Sequence, residues 1–129
     1  MKHTVSSEDR LRKKFEAALE RDAPIELQQL ILDVTLECED RDREWAECCC
    51  AQLAKHRNAN VRGNALLGFG HLAHRFGRLD RNRVKRLIEI GLHAHNEYVR
   101  ERADSAADDL ETFLSWSFDR PVSTTGRTD

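Results

Sequence analysis

The sequence predicts an all-α fold of about six helices packed in antiparallel pairs. Apolar residues recur every three to four positions through most of the chain, as they do on one face of a helix. Helix-breaking residues are scarce, with two prolines and six glycines in 129 residues. A hydrophobic fraction of 40% and a charged fraction of 34% exclude a disordered or fibrous chain, and the length fits one domain.

Residues 1–42 are predicted to form a divergent N-terminal pair of helices. Ser6 or Ser7 caps the first helix, which ends near Asp22. Pro24 opens the second helix, because proline is tolerated in a first helical turn. The apolar face of this second helix consists of Ile25, Leu27, Leu30, Ile31 and Val34. A charge-rich turn follows.

The next pair of helices, within 43–77, is predicted to hold the centre of the fold. Its first helix, over 43–56, places Trp45, Cys49, Cys50 and Leu53 within one arc. The second, over 61–76, is apolar or small almost all round, which is typical of a central and most buried helix. Its glycines each cost about 1 kcal/mol relative to alanine. We therefore expect Gly63, Gly68 and Gly70 to permit close approach of neighbouring helices.

A third pair is predicted over 81–116, with Asp80 as the cap of its first helix. Its second helix runs from Glu97 to about Trp116. The residues expected on its buried face are Val99, Ala103, Ala106, Leu110, Phe113 and Leu114. Residues 117–129 are polar and have no helical period, so a flexible C-terminal tail is predicted.

An internal repeat links the second and third pairs. A Val-Arg-x-x-Ala motif after an asparagine-bearing turn recurs 38 residues later, and its residues are Val61, Arg62, Ala65, Val99, Arg100 and Ala103. This motif resembles HEAT and related armadillo-like repeats, in which the valine and alanine pack between hairpins and the arginine bridges to an acidic group in the next repeat. The resemblance covers 43–116 and implies a short right-handed HEAT-like solenoid over 1–116.

A narrower resemblance concerns two runs within this region, VRGNALLGFGHLA and EYVRERADSAADDLETFLSW. They are similar to small HEAT-like bacterial proteins, some of which resemble immunity proteins encoded beside secreted toxins. The resemblance implies a cytoplasmic protein that binds and blocks one basic toxin domain, such as a nuclease. The protein would then be a toxin inhibitor that acts by occlusion.

The charge distribution indicates where such a partner would bind. The formal net charge is −2, but residues 1–50, 51–100 and 101–129 carry −5, +7 and −4. Five carboxylates of the last helix fall within about 80° of one another, and they are Glu97, Glu101, Asp104, Asp108 and Glu111. They predict either a docking surface for a basic partner or the polar outer face of a terminal repeat. Trp116 and an acidic cluster from Glu37 to Glu47 are additional candidate partner contacts.

A basic patch at the start of the fifth helix supports an alternative function. Its residues are Arg81, Arg83, Lys85 and Arg86. A HEAT-like protein could use them to bind nucleic acid phosphates. No aromatic residues are interleaved with the patch, and the net charge is not basic, so nucleic acid is the less favoured partner. A general scaffold or adaptor is a further alternative.

We predict no enzymatic activity, cofactor or metal site. No nucleophile–histidine–acid spacing or glycine-rich phosphate loop occurs. Cys48, Cys49 and Cys50 are adjacent on one helix and point about 100° apart, so they cannot chelate one ion together. No long apolar run or N-terminal signal core is present, which predicts a cytoplasmic protein without a membrane span. The sequence leaves open whether the protein is a monomer or a dimer.

Overall fold

The computed structural model describes residues 7–120, which form six α-helices and no β-strand. The helices are α1 (Ser7–Arg21), α2 (Pro24–Glu37), α3 (Arg43–Leu53), α4 (Ala59–Phe76), α5 (Arg81–Leu92) and α6 (Glu97–Leu114), and a short 3-10 helix at Asp40–Asp42 precedes α3. The predicted all-helical class is confirmed. Ser6 and the part of the predicted tail beyond residue 120 lie outside the described residues.

Asparagine caps decide where α4 and α6 begin. The Asn58 side chain accepts a hydrogen bond from the Val61 N–H at 3.1 Å, and the Asn96 side chain accepts one from the Val99 N–H at 3.0 Å. Each cap satisfies a backbone donor that the first helical turn leaves without a partner. As a result α4 begins at Ala59, two residues before the position predicted from its apolar pattern.

The repeat predicted from the sequence is present in the backbone register. Helices α3 and α5 begin 38 residues apart, and α4 and α6 both begin and end 38 residues apart. The residue that follows each of the latter helices, Gly77 or Ser115, adopts a left-handed conformation, with φ of 71° and 59°. The two pairs therefore share helix starts, asparagine caps and the turn at the C-terminal end.

The motif arginines hold the turns between the helices of each pair. Arg62 donates through Nη1 to the carbonyls of His56 and Arg57, at 3.1 Å each. Arg100 donates in the same way to the carbonyls at positions 94 and 95, at 2.8 and 2.7 Å. Carbonyls near the end of a helix lack helical donors and favour a cation. In this chain the arginines thus bind backbone carbonyls rather than the acidic group of a following repeat.

Helix α4 occupies the centre of the described structure. It contacts α2, α3, α5 and α6, and its Phe69 is completely buried. A Cβ atom added at Gly68 would lie 2.8 Å from Cys50 Sγ of α3 and 2.9 Å from Thr35 Cγ2 of α2. The predicted central position of this helix and the close approach of its neighbours at glycine are both confirmed.

Two residues predicted to be buried are exposed. Ile25 is 82% exposed, because it lies about 160° around α2 from the buried face formed by Leu27, Leu30 and Val34. Phe113, in the last turn of α6, is 43% exposed and stacks on the His74 ring at a centroid distance of 4.6 Å. Both predictions were wrong because an apolar residue near a helix end need not face the core.

A polar contact joins the turn after α1 to the turn after α3. His56 Nε2 lies 2.8 Å from Asp22 Oδ1, and Arg57 also pairs with Asp22. The Asn58 N–H donates to His56 Nδ1 at 2.9 Å, so the proton of the neutral ring is on Nε2 and is donated to the carboxylate. The hydrogen bond from His56, together with Arg57, holds the pKa of Asp22 below its ordinary value. These bonds fix the first helix pair against the second.

Candidate functional site

The five carboxylates predicted to form one surface do lie on one side of α6. Four of them are exposed and one is half-buried, and we refer to them together as the acidic face: Glu97, Glu101, Asp104, Asp108 and Glu111. The opposite side of the helix, with Val99, Ala103 and Leu110, is buried in the core. The acidic face is therefore a continuous, outward-facing strip of negative charge along α6.

The acidic face occupies positions at which the preceding repeat packs against another helix. A shift of 38 residues places its carboxylates on Ala59, Gly63, Leu66, Gly70 and Ala73 of α4. A Cβ atom added at Gly63 would lie 2.7 Å from the Tyr98 ring of α6, and one at Gly70 would lie 2.6 Å from Asp109 Oδ2. Small residues thus let α6 pack closely on α4, whereas α6 carries carboxylates there and no further helix follows within residues 7–120.

Arg120 lies on the acidic face and contacts three of its carboxylates. Its Nη1 donates to Asp104 Oδ1 at 2.5 Å, while its Nη2 donates to Asp108 Oδ1 at 2.9 Å and to Glu111 Oε1 at 2.7 Å. Partial burial lowers the pKa of Arg120, but the hydrogen bond to Asp108 and the neighbouring carboxylates outweigh it and raise that pKa above its usual value. Glu97 and Glu101, by contrast, form no ion pair within residues 7–120 and are exposed.

Sequence reasoning missed the contact of Arg120 with the acidic face. The sequence predicts a flexible tail over 117–129, whereas the described part of that range, 117–120, contacts the body of the protein through Phe118 and Arg120. Trp116 and Phe118 are partly buried against the core, and their ring centroids are 6.4 Å apart. The alternation of two aromatic residues and an arginine at positions 116, 118 and 120 was the available signal. Trp116, predicted as a partner contact, lies in this segment.

Two members of the second acidic cluster, Glu47 and Asp40, form internal contacts. Glu47 is only 2% exposed and pairs with Arg43 at 3.0 Å and with Arg83 at 2.8 Å. It also accepts the Asp80 N–H at 3.2 to 3.3 Å. Asp40 pairs with Arg78 at 2.8 Å. A carboxylate buried between two guanidiniums cannot contact a partner, so this part of the prediction was wrong at Glu47.

The four cations of the predicted basic patch differ in their contacts and in their exposure to solvent. Arg83 pairs with buried Glu47, and this hydrogen bond raises the pKa of the guanidinium. Lys85 lies 4.0 Å from Glu89 Oε2 and 5.9 Å from the centroid of the Phe118 ring. Arg81 and Arg86 are the two exposed members. Arg86 lines a groove of about 620 Å³ between α3 and α5, together with Lys55 and the exposed Ile90.

The cysteines and histidines occupy separate places in the fold. All four cysteines are free thiols, and burial raises the pKa of Cys49 to about 12. Within residues 7–120, no three histidine, cysteine, aspartate or glutamate side chains are grouped in a way that could hold a metal ion.

In the same part of the chain, no helix has the length and apolar character needed to cross a membrane.

The surroundings of His71 predict that the free energy of unfolding depends on pH. Burial lowers its pKa below the ordinary value of 6.5; Arg75 and His74 act in the same direction, and Asp109 opposes them. The ring is hydrogen-bonded through Nδ1 to Thr35 Oγ1 at 3.0 Å. The imidazole of the unfolded chain takes up its proton near pH 6.5, whereas the folded chain takes it up only at lower pH. The free energy of unfolding is therefore highest above pH 6.5 and falls as the pH drops toward the lowered pKa of His71.

We expect His71→Gln, which keeps a hydrogen-bonding group near Thr35 and does not titrate, to lose less stability than the parent chain between about pH 7.5 and 5.5. Urea unfolding at both pH values measures the difference. Equal losses in the two proteins would show that His71 does not contribute to acid sensitivity.

Comparison with known proteins gives no assignment by similarity, since no family model, curated protein or solved structure matches this chain. The argument for function therefore rests on the residues and contacts described above.

Proposed function

We propose that the protein is a non-enzymatic protein-binding module that docks a basic protein domain on the acidic face of α6. The observation that carries the proposal is that three of the five carboxylates stand at positions whose equivalents in α4, Gly63, Leu66 and Gly70, contact a neighbouring helix. Like charges spaced three or four residues apart destabilise a helix by a few tenths of a kcal/mol per pair. Helix stability thus does not account for the row, while a cationic partner would.

The scaffold in this proposal is a short right-handed HEAT-like solenoid of antiparallel helix pairs. Its support is the common 38-residue register of helix starts, asparagine caps and motif arginines in the second and third pairs. Packing of α4 against both α2 and α6 also fits a stack in which each pair contacts only its neighbours. In such a stack the acidic face forms one end.

The contacts of Arg120 favour the interpretation that the acidic face binds a cationic partner over the interpretation that it is only a solvated polar surface. A guanidinium contacts three carboxylates of the face at once, with both terminal nitrogens donating. Charge-assisted hydrogen bonds of this kind are the stronger class in proteins. Opposite potentials on two surfaces also speed their encounter and disfavour other partners. The acidic face therefore has the chemistry of a docking surface for arginine-bearing proteins.

The specific form of the proposal is an immunity protein acting in the cytoplasm. Its partner is a toxin domain whose basic cleft, such as the phosphate-binding cleft of a nuclease, is covered by the acidic face. Inhibition by occlusion needs no catalytic group on this chain. Four free cysteines fit a reducing compartment.

Nucleic acid binding through the basic patch is the weaker alternative. Two of its four cations, Arg83 and Lys85, are engaged with glutamates, which reduces the positive charge presented to phosphates. A general scaffold or adaptor would use the same acidic face with several partners. Both alternatives differ from the immunity protein in what the immobilised chain captures, which is nucleic acid or several proteins instead of one protein.

The test is affinity capture from source cells on the immobilised full chain, with and without nuclease treatment and at two salt concentrations. We expect recovery of one basic protein domain that nuclease does not release. The double variant Asp104→Lys/Asp108→Lys should lose it, because the charge of the docking surface is reversed. The control Glu16→Lys/Glu20→Lys makes the same charge change at two exposed positions of α1, also four residues apart, and should retain it.

Two results would contradict the proposal. Equal capture by the parent chain and Asp104→Lys/Asp108→Lys would show that the acidic face is only a solvated end of the fold. Recovery of nucleic acid, or of many proteins that nuclease releases, would favour the basic patch.

A further inference from the structure

The segment after α6 turns back along the helix that carries the acidic face. Ser115 adopts φ of 59°, the left-handed conformation that Gly77 adopts at the equivalent position after α4. The Trp116 N–H donates to the Leu110 carbonyl at 3.4 Å, which closes the turn. The chain thus leaves α6 as it leaves α4, but in residues 7–120 no helix follows, and the segment lies on the acidic face instead.

The segment is attached to the body of the protein at two places. Trp116 and Phe118 pack against the core, and Lys85 lies over the Phe118 ring. Two residues further on, Arg120 is three-quarters buried and contacts Asp104, Asp108 and Glu111. The apolar contacts bring the guanidinium close to the carboxylates, so that closing this ion-pair network orders only a few more residues.

We propose that residues 115–120 form a strap that competes with the partner for the acidic face, and that Arg120 occupies the place of an arginine presented by the partner. This inference rests on the proposed function. Binding then proceeds by exchange of one guanidinium for another. The open carboxylates Glu97 and Glu101 make the first contact, and the partner's arginine displaces Arg120 from the other three.

The strap has a measurable consequence for affinity. A site that is occupied by its own chain for most of the time binds a ligand more weakly, in proportion to the fraction that is open. It also raises selectivity, because a partner must place a guanidinium against all three carboxylates to replace the contacts that Arg120 makes. Loss of the Arg120 charge should therefore strengthen binding of arginine-rich ligands.

The experiment uses a fluorescein-labelled octa-arginine peptide as the probe and fluorescence anisotropy with the purified full chain. We expect Arg120→Gln to bind the peptide at least about five-fold more tightly than the parent chain. The control Arg86→Gln removes the same charge from an exposed arginine on α5 and should change affinity by less than about two-fold. Adding Asp104→Asn/Asp108→Asn to Arg120→Gln should abolish the gain.

Hydrogen exchange of the parent chain supplies a second measurement. Addition of octa-arginine should increase exchange at the Trp116 amide, which donates to the Leu110 carbonyl, and leave α4 unchanged. The strap is refuted if Arg120→Gln binds no more tightly than Arg86→Gln, which includes the case in which no variant binds the peptide. It is also refuted if the peptide binds while the Trp116 amide keeps its protection.

Failure of the strap and failure of the proposed function give different results. Partner capture that depends on Asp104 and Asp108, together with no gain from Arg120→Gln, would remove the strap alone. A gain from Arg120→Gln, together with capture that ignores both aspartates, would keep the strap as a shield for the acidic face and remove the docking proposal.

Discussion

Replacing Phe69 with alanine is expected to lower the free energy of unfolding by about 4 kcal/mol. Phe69 is fully buried in α4, the helix that contacts four of the other five. Removing its ring leaves a cavity between helices that cannot collapse without moving several neighbours. The loss is measured by urea denaturation, as a lower midpoint with an unchanged slope.

Phe113→Ala is the matched control for this variant. The same side chain is removed, but from the surface of α6, where its ring rests on His74 and is partly exposed. We expect a loss of about 1 kcal/mol or less. Comparable losses in the two variants would contradict the central position that we assign to α4.

Replacing Glu47 with glutamine is expected to cost about 3 kcal/mol of unfolding free energy. The carboxylate is buried between Arg43 and Arg83 and joins α3 to the start of α5. Its loss leaves two guanidiniums without their counter-charge and weakens the acceptor for the Asp80 N–H. Arg83 retains some exposure to water, which places the expected cost at the low end of the range for breaking a buried ion pair.

Two further variants separate the charge effect from simple loss of packing. Glu44→Gln makes the same change at an exposed position of α3 and should stay within about 0.5 kcal/mol of the parent chain. Adding Arg83→Gln to Glu47→Gln removes one stranded cation, so the double variant should be more stable than the sum of the single losses. Strict additivity would show that Glu47 and Arg83 do not interact in the folded protein.

Helices α4 and α6 carry different kinds of side chain at equivalent positions, and this difference defines the acidic face. Helix α4 is packed on both sides, and small residues on one side admit α6. At the same positions α6 itself presents carboxylates, three of which contact Arg120. Within residues 7–120, this side of α6 is then neither an apolar surface nor a bare acidic surface. It is a negatively charged surface that already holds one guanidinium.

Much of the fold could be predicted from the sequence because helix signals are local. Pro24 at a first turn, Asp80 as a cap and the apolar period gave helices whose bounds agree with the structure to within about three residues. The five carboxylates of α6 share a face for the same reason, since 100° per residue fixes their relative directions. The glycines of α4 indicated close packing because only an interhelical contact compensates for their cost.

Other features could not be predicted because they depend on residues that are far apart in the sequence. Its local sequence predicts that Glu47 is a surface charge. In the structure it pairs with Arg83, which lies 36 residues away in the sequence. Arg120 looked like part of a tail, since no local pattern pairs it with Asp104. Ile25 is a different case, because its angle around α2 could be read from the sequence and already points it away from the buried face.

The helical class, the order of the helices, the 38-residue repeat and the single acidic side of α6 can be read from the amino-acid sequence alone. These follow from backbone periodicity and from capping, which operate over a few neighbouring residues. Which charges are buried, which apolar residues stay exposed and where the segment after α6 lies are known from the packed fold. Such choices depend on which helices pack together, because the desolvation and pairing of a charge are settled by its neighbours in space.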